Sequence, residues 1–213
     1  MLAWLIDLVL HLDRHLVELL SQYHAWIYPI LFAVIFAETG LVVTPFLPGD
    51  SLLFAAGALA AVDSSGTLNA AALNGLLACA AILGNSTNYA AGRFIGPPAF
   101  SGRYRFLKVE YLRRTEEFFN RFGGLAIALS RFMPIVRTFA PFVAGVGRMP
   151  YGRFQGYNVL GGLSWVTLFV WGGYLFGNLP LVKRNFGLVT LFIVGVSLLP
   201  LAVAAFRRRS ASS

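Results

Sequence analysis

Four ionisable side chains sit in stretches whose other residues are almost all apolar. Glu38 lies inside the run Trp26–Val43. Asp50 follows it across the turn Thr44-Pro45-Phe46-Leu47-Pro48-Gly49. Arg131 and Arg137 flank Pro134, between the apolar arms Leu125–Leu129 and Phe142–Val146. A charge at mid-bilayer costs about 2.5–3.5 kcal/mol on insertion scales, so four unpaired ones would cost on the order of 10–14 kcal/mol, comparable to the whole stability of a domain. They must pair, face water, or do both. The acids lie on one segment and the arginines on another, so facing segments would bring opposite charges together. Arg131 and Arg137 are six residues apart and would point roughly 120° apart on a straight helix. Pro134 breaks that helix, and a broken segment can turn both guanidiniums toward one ligand. Two planar forks presented at a backbone break suit an oxyanion such as phosphate, because each can bond bidentately. The two acids can then carry protons. The same charges also suit a purely structural reading, as salt bridges that hold the two segments together.

The elements that must position these residues are those of an all-α polytopic membrane protein. The chain of 213 residues is 57% hydrophobic and 12% charged, with a mean hydropathy of +0.70. An average soluble domain is about 25% charged. The net charge of +8 does not indicate nucleic acid. The lysines and arginines cluster between apolar segments and near the C-terminal end, which is a pattern of membrane topology. The single cysteine, Cys79, lies in the apolar run Ala70–Leu83. It permits no intrachain disulfide and no cysteine-rich metal site, and it is expected to be a small buried hydrophobe. No metal and no cofactor are expected. The first residues lack a basic n-region and a small-residue cleavage site, so they do not read as a removable signal peptide.

Along the chain, residues 1–24 read as an amphipathic interfacial helix, with Asp7, His11, Arg14 and Glu18 on one face. A core follows over residues 25–180. Trp26 to Val43 begins a crossing, anchored by Trp26 and Tyr28. Residues of about 38–62 form a hairpin broken at Pro45, Pro48 and Gly49, whose second arm, Ser51–Val62, is too short to span comfortably. Two short apolar arms around a Pro-Gly break read as a re-entrant hairpin. Leu68–Tyr89 can span. Residues 93–121 hold seven basic residues and three acidic ones, which marks them as cytoplasmic. Pro97-Pro98 is read as the turn before an amphipathic surface helix over roughly Val109–Phe122. Residues 124–147 form a second hairpin, broken at Pro134 and Pro141. Gly156–Gly177 spans, with glycines at 161, 162, 172 and 173 permitting close helix contact. Residues 186–213 form a C-terminal transmembrane helix and a basic tail that ends its span at Arg207-Arg208-Arg209.

Both termini are then cytoplasmic, the first hairpin enters from outside and the second from inside. Lys183 and Arg184 fall on the wrong side for the rule but are outnumbered. Phe54-Ala55-Ala56-Gly57 echoes Phe142-Val143-Ala144-Gly145, and Phe46-Leu47-Pro48 echoes Phe132-Met133-Pro134. The expected architecture is an inverted repeat of two re-entrant helical hairpins, each followed by a transmembrane helix, as transporters commonly have around a midplane site.

Phe36-Ala37-Glu38-Thr39-Gly40 with Pro45-Phe46-Leu47-Pro48-Gly49-Asp50-Ser51-Leu52-Leu53 resembles the first signature of the DedA family. Gly84-Asn85 through Gly92-Arg93 resembles its helix-ending glycine motif. Arg131-Phe132-Met133-Pro134-Ile135-Val136-Arg137, with Pro141 and Ala144-Gly145, resembles its second. The resemblance covers about residues 25–180. It implies the VTT-type fold with paired re-entrant loops, in the bacterial inner membrane. It also implies movement of polyprenyl phosphate or phospholipid between leaflets, with undecaprenyl phosphate returned to the cytoplasmic leaflet at the expense of an ion gradient. By the same resemblance Glu38 and Asp50 are the essential acids and Arg131 and Arg137 the essential arginines.

The leading expectation is thus a proton-coupled flippase for undecaprenyl phosphate or a related anionic lipid. Arg131 and Arg137 would bind the head group, and Glu38 and Asp50 would couple protons. The alternatives are a proton-coupled antiporter of small cations or drugs, a broad phospholipid scramblase, a scaffold without transport, and an integral lipid phosphatase. The phosphatase needs a nucleophile with a partner base. The histidines, His11, His15 and His24, all lie outside the charged centre, so no enzyme is expected. The partners are the membrane, an anionic lipid and protons, with no nucleic acid, and nothing in the sequence excludes a homo-oligomer. Topology is tested directly: a C-terminal reporter should be cytoplasmic, and a cysteine introduced at Ser65 should react with an impermeant thiol reagent in intact cells. Labelling of Ser65→Cys only after permeabilisation reverses the orientation.

Overall fold

A computed structural model describes residues 26–41, 49–63, 66–99, 123–177 and 179–180. The expected N-terminal interfacial helix, Pro45, Pro48, the surface helix Val109–Phe122, the C-terminal span and the tail Arg207–Arg209 lie outside these residues. The described residues form six helices and no strand: α1 (Ile27–Gly40), α2 (Gly49–Val62), α3 (Ala70–Ala99), α4 (Leu125–Ser130), α5 (Pro134–Val146) and α6 (Tyr151–Phe176). Two of them, over Ala70–Ile95 and Tyr151–Phe176, are 26 residues each and apolar enough to cross a membrane. At 1.5 Å per residue each reaches about 39 Å, beyond a hydrocarbon core of about 30 Å. Leu83, Phe94, Leu160, Leu168 and Leu175 stand exposed on them, where a soluble core helix would bury such side chains. This is the architecture of a helical membrane protein.

Several boundaries differ from the sequence reading. α1 has 14 residues, about 21 Å, so its helical part alone falls short of a crossing. α3 continues past Tyr89 to Ala99, through the Pro97-Pro98 pair expected to turn the chain. Each proline lacks the N–H that would bond one turn back, and the helix runs through the pair nonetheless. α6 starts at Tyr151, ahead of Gly156. Pro141, expected at a break, sits inside α5, where it removes the N–H that would bond to the Arg137 carbonyl. Cys79 is exposed rather than buried. On α3 it falls on the face turned away from Leu77, Ala78, Ala80 and Ala81, which are buried.

The chain divides into two compact units. In the first, which contains α2 and residues 26–32, 66–77 and 166–177, the start of α3 is tied down by the loop before it. Tyr28 Oη donates to the Thr67 carbonyl (3.1 Å) and accepts the Asn69 N–H (2.9 Å). Asp63 Oδ2 accepts the Leu68 N–H (2.7 Å). Asn69 Oδ1 accepts from Ala71 and Ala72 (2.9 and 3.0 Å), the cap that begins the helix. α2 packs on α6 so closely that a Cβ at Gly57 would collide with the Val170 carbonyl, and one at Gly173 with the Phe54 carbonyl.

The second unit contains α4, α5 and residues 33–41, 78–99 and 147–165. The same device recurs inside it. A Cβ at Gly145 would collide with the Tyr89 carbonyl, and one at Gly92 with the Phe142 carbonyl. The two halves of the faint sequence echo, Phe54–Gly57 and Phe142–Gly145, therefore do the same work, each meeting a glycine-bearing turn of a long helix. α5 ends with Arg148 N–H on the Gly145 carbonyl and Met149 N–H on the Ala144 carbonyl, both at 3.0 Å. Arg148 takes the left-handed position (φ 51°) that usually belongs to glycine. The Tyr89 hydroxyl donates to the Met149 carbonyl and accepts from Arg93 Nη1 (2.9 Å), and its ring stacks on Phe154 (centroids 4.4 Å).

These contacts set an expectation for stability. Gly92→Leu and Gly173→Leu should each lower the melting temperature of the purified protein, by the equivalent of about 1–3 kcal/mol for an overpacked contact. Gly75→Ala and Gly156→Ala, whose Cβ would meet nothing within 4 Å, should be neutral or stabilising by up to about 1 kcal/mol. A thermal melt in detergent ranks the four variants.

Candidate functional site

The helix break that the sequence places around Pro134 falls at 131–133. α4 closes with two tight turns, Phe132 N–H to Leu129 O (3.2 Å) and Met133 N–H to Ser130 O (3.0 Å). Met133 is extended (φ −123°, ψ 100°) and α5 begins with Pro134, where the missing N–H costs nothing. Arg131 thus ends one helix and Arg137 lies within the first turns of the next.

The two arginines enter different surroundings. Arg137, 6% exposed, forms a buried ion pair through Nη2 with Glu38 Oε1, and Glu38 is 1% exposed. Its guanidinium carbon stands 4.9 Å from the ring centroid of the buried Trp165, within reach of a cation–π attraction. The sequence expectation of acid on the first segment against arginine on the second is met by this pair. Asn88, fully buried on α3, fixes its register. Its Nδ2 donates to the Thr39 carbonyl (3.3 Å) and to the Thr138 carbonyl (2.7 Å). Those residues are the immediate neighbours of Glu38 and Arg137. Thr39 Oγ1 turns back to the Ile35 carbonyl (2.8 Å), and a Cβ at Gly84 would strike that hydroxyl. The glycine therefore sets how closely α1 and α3 approach beside Glu38.

Arg131, 2% exposed, is seated by Nη2 on Asn158 Oδ1 (2.6 Å) and the Ala81 carbonyl (3.2 Å). Its stem crosses α6 over two glycines. A Cβ at Gly161 would lie 3.1 Å from Arg131 Cδ, and one at Gly162 would lie 3.3 Å from Nη2. Asp50 is buried in the first turn of α2, in the first unit. The structure thus joins Glu38 to Arg137, gives Arg131 partners of its own, and buries all four charges that the sequence singles out. A cavity of about 260 Å³ in the first unit, lined by Leu68, Asn69, Trp171 and Tyr174 among others, carries no charged side chain.

Sequence reasoning read Ser86 and Asn88 only as part of the polar stretch from Gly84 to Arg93 and gave no role to Asn158 and Gln155. A signal was available. Ile82 and Ser86 on α3, and Gln155 and Asn158 on α6, are spaced by one helical turn, so each pair presents one patch on its helix. Among the described residues no group of three or more His, Cys, Asp or Glu side chains could hold a metal ion.

The profile of the VTT domain matches residues 47–175. Over 214 aligned residues the chain is 48% identical to Protein DedA of Escherichia coli K12, covering 100% of this chain and 97% of that protein. It is 42% identical over 180 residues to an uncharacterized membrane protein of Mycobacterium tuberculosis, covering 84% and 78%. It is 36% identical over 201 residues to the inner membrane protein YghB of Escherichia coli K12, covering 94% and 86%. No solved structure matches it significantly.

Removing one member of a buried ion pair strands the other charge, which costs about 3–5 kcal/mol, whereas replacing both is far cheaper. Glu38→Ala and Arg137→Ala should each reduce the amount of folded protein and its melting temperature strongly. The double variant Glu38→Gln with Arg137→Gln should recover most of the loss. Quantitative blotting and detergent melts measure both.

Proposed function

Because the chain belongs to the DedA family of VTT-domain membrane proteins, we propose that it transports an anionic lipid, undecaprenyl phosphate first, between the leaflets of the bacterial inner membrane. The observation that carries the reading is the burial of Arg131, Arg137 and Glu38 around one helix break, in helices that otherwise present apolar surface. Buried ionisable residues in membrane proteins mark substrate and proton pathways by default. Guanidiniums are the side chains best matched to a phosphate. The two arginines take the head group while the prenyl tail stays in lipid, and neutralising the phosphate lowers the cost of its crossing.

Glu38 and Asp50 are the proton-coupling groups in this proposal. Glu38 already holds Arg137, so a phosphate arriving at Arg137 must compete with that carboxylate. Protonation of Glu38 removes the competitor. Lipid and proton are thereby linked through one ion pair, and release of the proton restores it. The segments around α1–α2 and α4–α5 are proposed as re-entrant hairpins of opposite orientation, with both termini cytoplasmic. The matched glycine crossings in the two units support a repeated architecture. No chemical step is proposed at the site; transport rather than lipid-phosphate hydrolysis is part of the proposal.

The ion pair also favours a second reading, in which Glu38 and Arg137 serve only as scaffolding. Arginine-to-lysine variants separate the two. Lysine keeps the charge and loses the planar fork. Losing one charge-assisted hydrogen bond, about 1.5–3 kcal/mol, corresponds to roughly a 10- to 100-fold loss. Arg131→Lys and Arg137→Lys should insert at normal levels and lose transport of undecaprenyl phosphate in liposomes by about that factor. In the same assay Glu38→Gln and Asp50→Asn should flatten the dependence of rate on pH. Full activity in both lysine variants would show that only charge matters there, loss of the inserted protein would favour scaffolding, and an unchanged pH profile in both amide variants would remove proton coupling.

A further inference from the structure

Among the described residues, Arg131 is held entirely by neutral groups. Its partners are the Ala81 carbonyl and the side-chain oxygen of Asn158. Its Nε is buried with no protein acceptor. A buried guanidinium normally draws a carboxylate, since an uncompensated charge in the interior is strongly destabilising. Arg137, a few residues on, has one. Arg131 has an amide where a carboxylate of nearly the same shape would fit.

The orientation of that amide is determined by its surroundings. Asn158 is fully buried. Its Nδ2 faces three acceptors: the Ile82 carbonyl (3.0 Å), Gln155 Oε1 (3.2 Å) and Ser86 Oγ (3.3 Å). Ser86 Oγ in turn lies 2.8 Å from the Ile82 carbonyl and 3.0 Å from Gln155 Oε1. Flipping the amide would set its N–H groups against those of Arg131 and leave the acceptors unserved. Asn158 Oδ1 is therefore locked toward Arg131, and the slot at Gly161 and Gly162 confines the stem.

We infer that Asn158 is a positioning residue that holds the Arg131 guanidinium in place without cancelling its charge, so that Arg131 is the cation a phosphate monoester meets without first displacing a carboxylate. The inference rests on the reading of Arg131 as a head-group ligand. It assigns the two arginines unequal roles. Arg131 recruits the anion, and Arg137 joins it once Glu38 has been released.

The test uses the full chain purified into nanodiscs, with farnesyl phosphate as probe. Asn158→Ala removes the acceptor and should weaken binding about tenfold, the loss of roughly one hydrogen bond. Asn158→Asp supplies a competing carboxylate and should weaken it about a hundredfold. An amide with a merely structural role would lower affinity only in step with the melting temperature, so the ordering Asp below Ala is the signature of an uncancelled charge. A second arm needs no lipid. Melting temperatures of Asn158→Ala, Arg131→Gln and the double variant should be non-additive, the double melting no lower than the worse single. If Asn158→Ala does not survive purification, Asn158→Ser takes its place in both arms, with a smaller loss of affinity than Asn158→Asp expected. Additive melting losses, or Asn158→Asp binding as tightly as the Ala or Ser variant, overturn the inference. Failure of the wild type to bind the probe sinks the lipid-phosphate reading instead, and the melting cycle then decides the positioning role alone.

Discussion

The ion pair between Glu38 and Arg137 is the constraint to which the rest of the second unit is fitted. Two charges that have left water repay their desolvation only when geometry is tight and the remaining hydrogen-bonding capacity is used. The fold supplies that geometry from three directions. Asn88 bridges the backbone on either side of the pair. Trp165 offers a ring face to the guanidinium. Gly84 lets α1 and α3 approach closely enough for Thr39, next to Glu38, to pack without a gap. The helix break before Pro134 has its place here too. It frees Arg131 from the helix that carries Arg137, so each guanidinium finds its own partners.

The charges and the breaks were legible in the sequence because they violate the local pattern. A glutamate in an apolar run and a proline between two arginines cannot be explained by packing alone. The spans over Leu68–Tyr89 and Gly156–Gly177 were legible from apolar length. Their ends were not: apolar length does not register the caps, and it is Asn69 at the start of α3 that sets that boundary. Pro141 was misread for a related reason. A proline within an apolar helix costs one hydrogen bond, and packing against neighbouring helices can absorb that loss where the proline is buried, as Pro141 is. Cys79 was misjudged because burial statistics for cysteine come from proteins in water, where an exposed apolar face is penalised. On a helix facing lipid it is not.

The role of the neutral amides was harder to read for a deeper reason. Asn88 and Asn158 are ordinary in composition and each lies within a long helix, so no window statistic singles them out. Their importance lies in what they touch. Arg131 needs an acceptor, α6 passes beside it, and the residue one turn beyond Gln155 is the one that reaches. Reading charged residues alone gives the actors in such a site but not the arrangement that keeps two like charges in separate seats. Side by side, the two seats differ in kind. One cation is balanced by an acid that can be neutralised, and the other, among the described residues, has only neutral partners.

The matched glycine crossings have a consequence for how sequences of this fold diverge. At Gly57, Gly92, Gly145 and Gly173 the facing surface is a backbone carbonyl, which no repacking of neighbours can move aside. Drift at these four positions is blocked by geometry whatever a given descendant does. Uniformity among relatives there records ancestry of shape, whereas uniformity at Arg131 or Glu38 would record ancestry of use. A lineage that abandoned its activity would be free to lose the charges first while its glycines persisted, and the order of loss would tell the two histories apart.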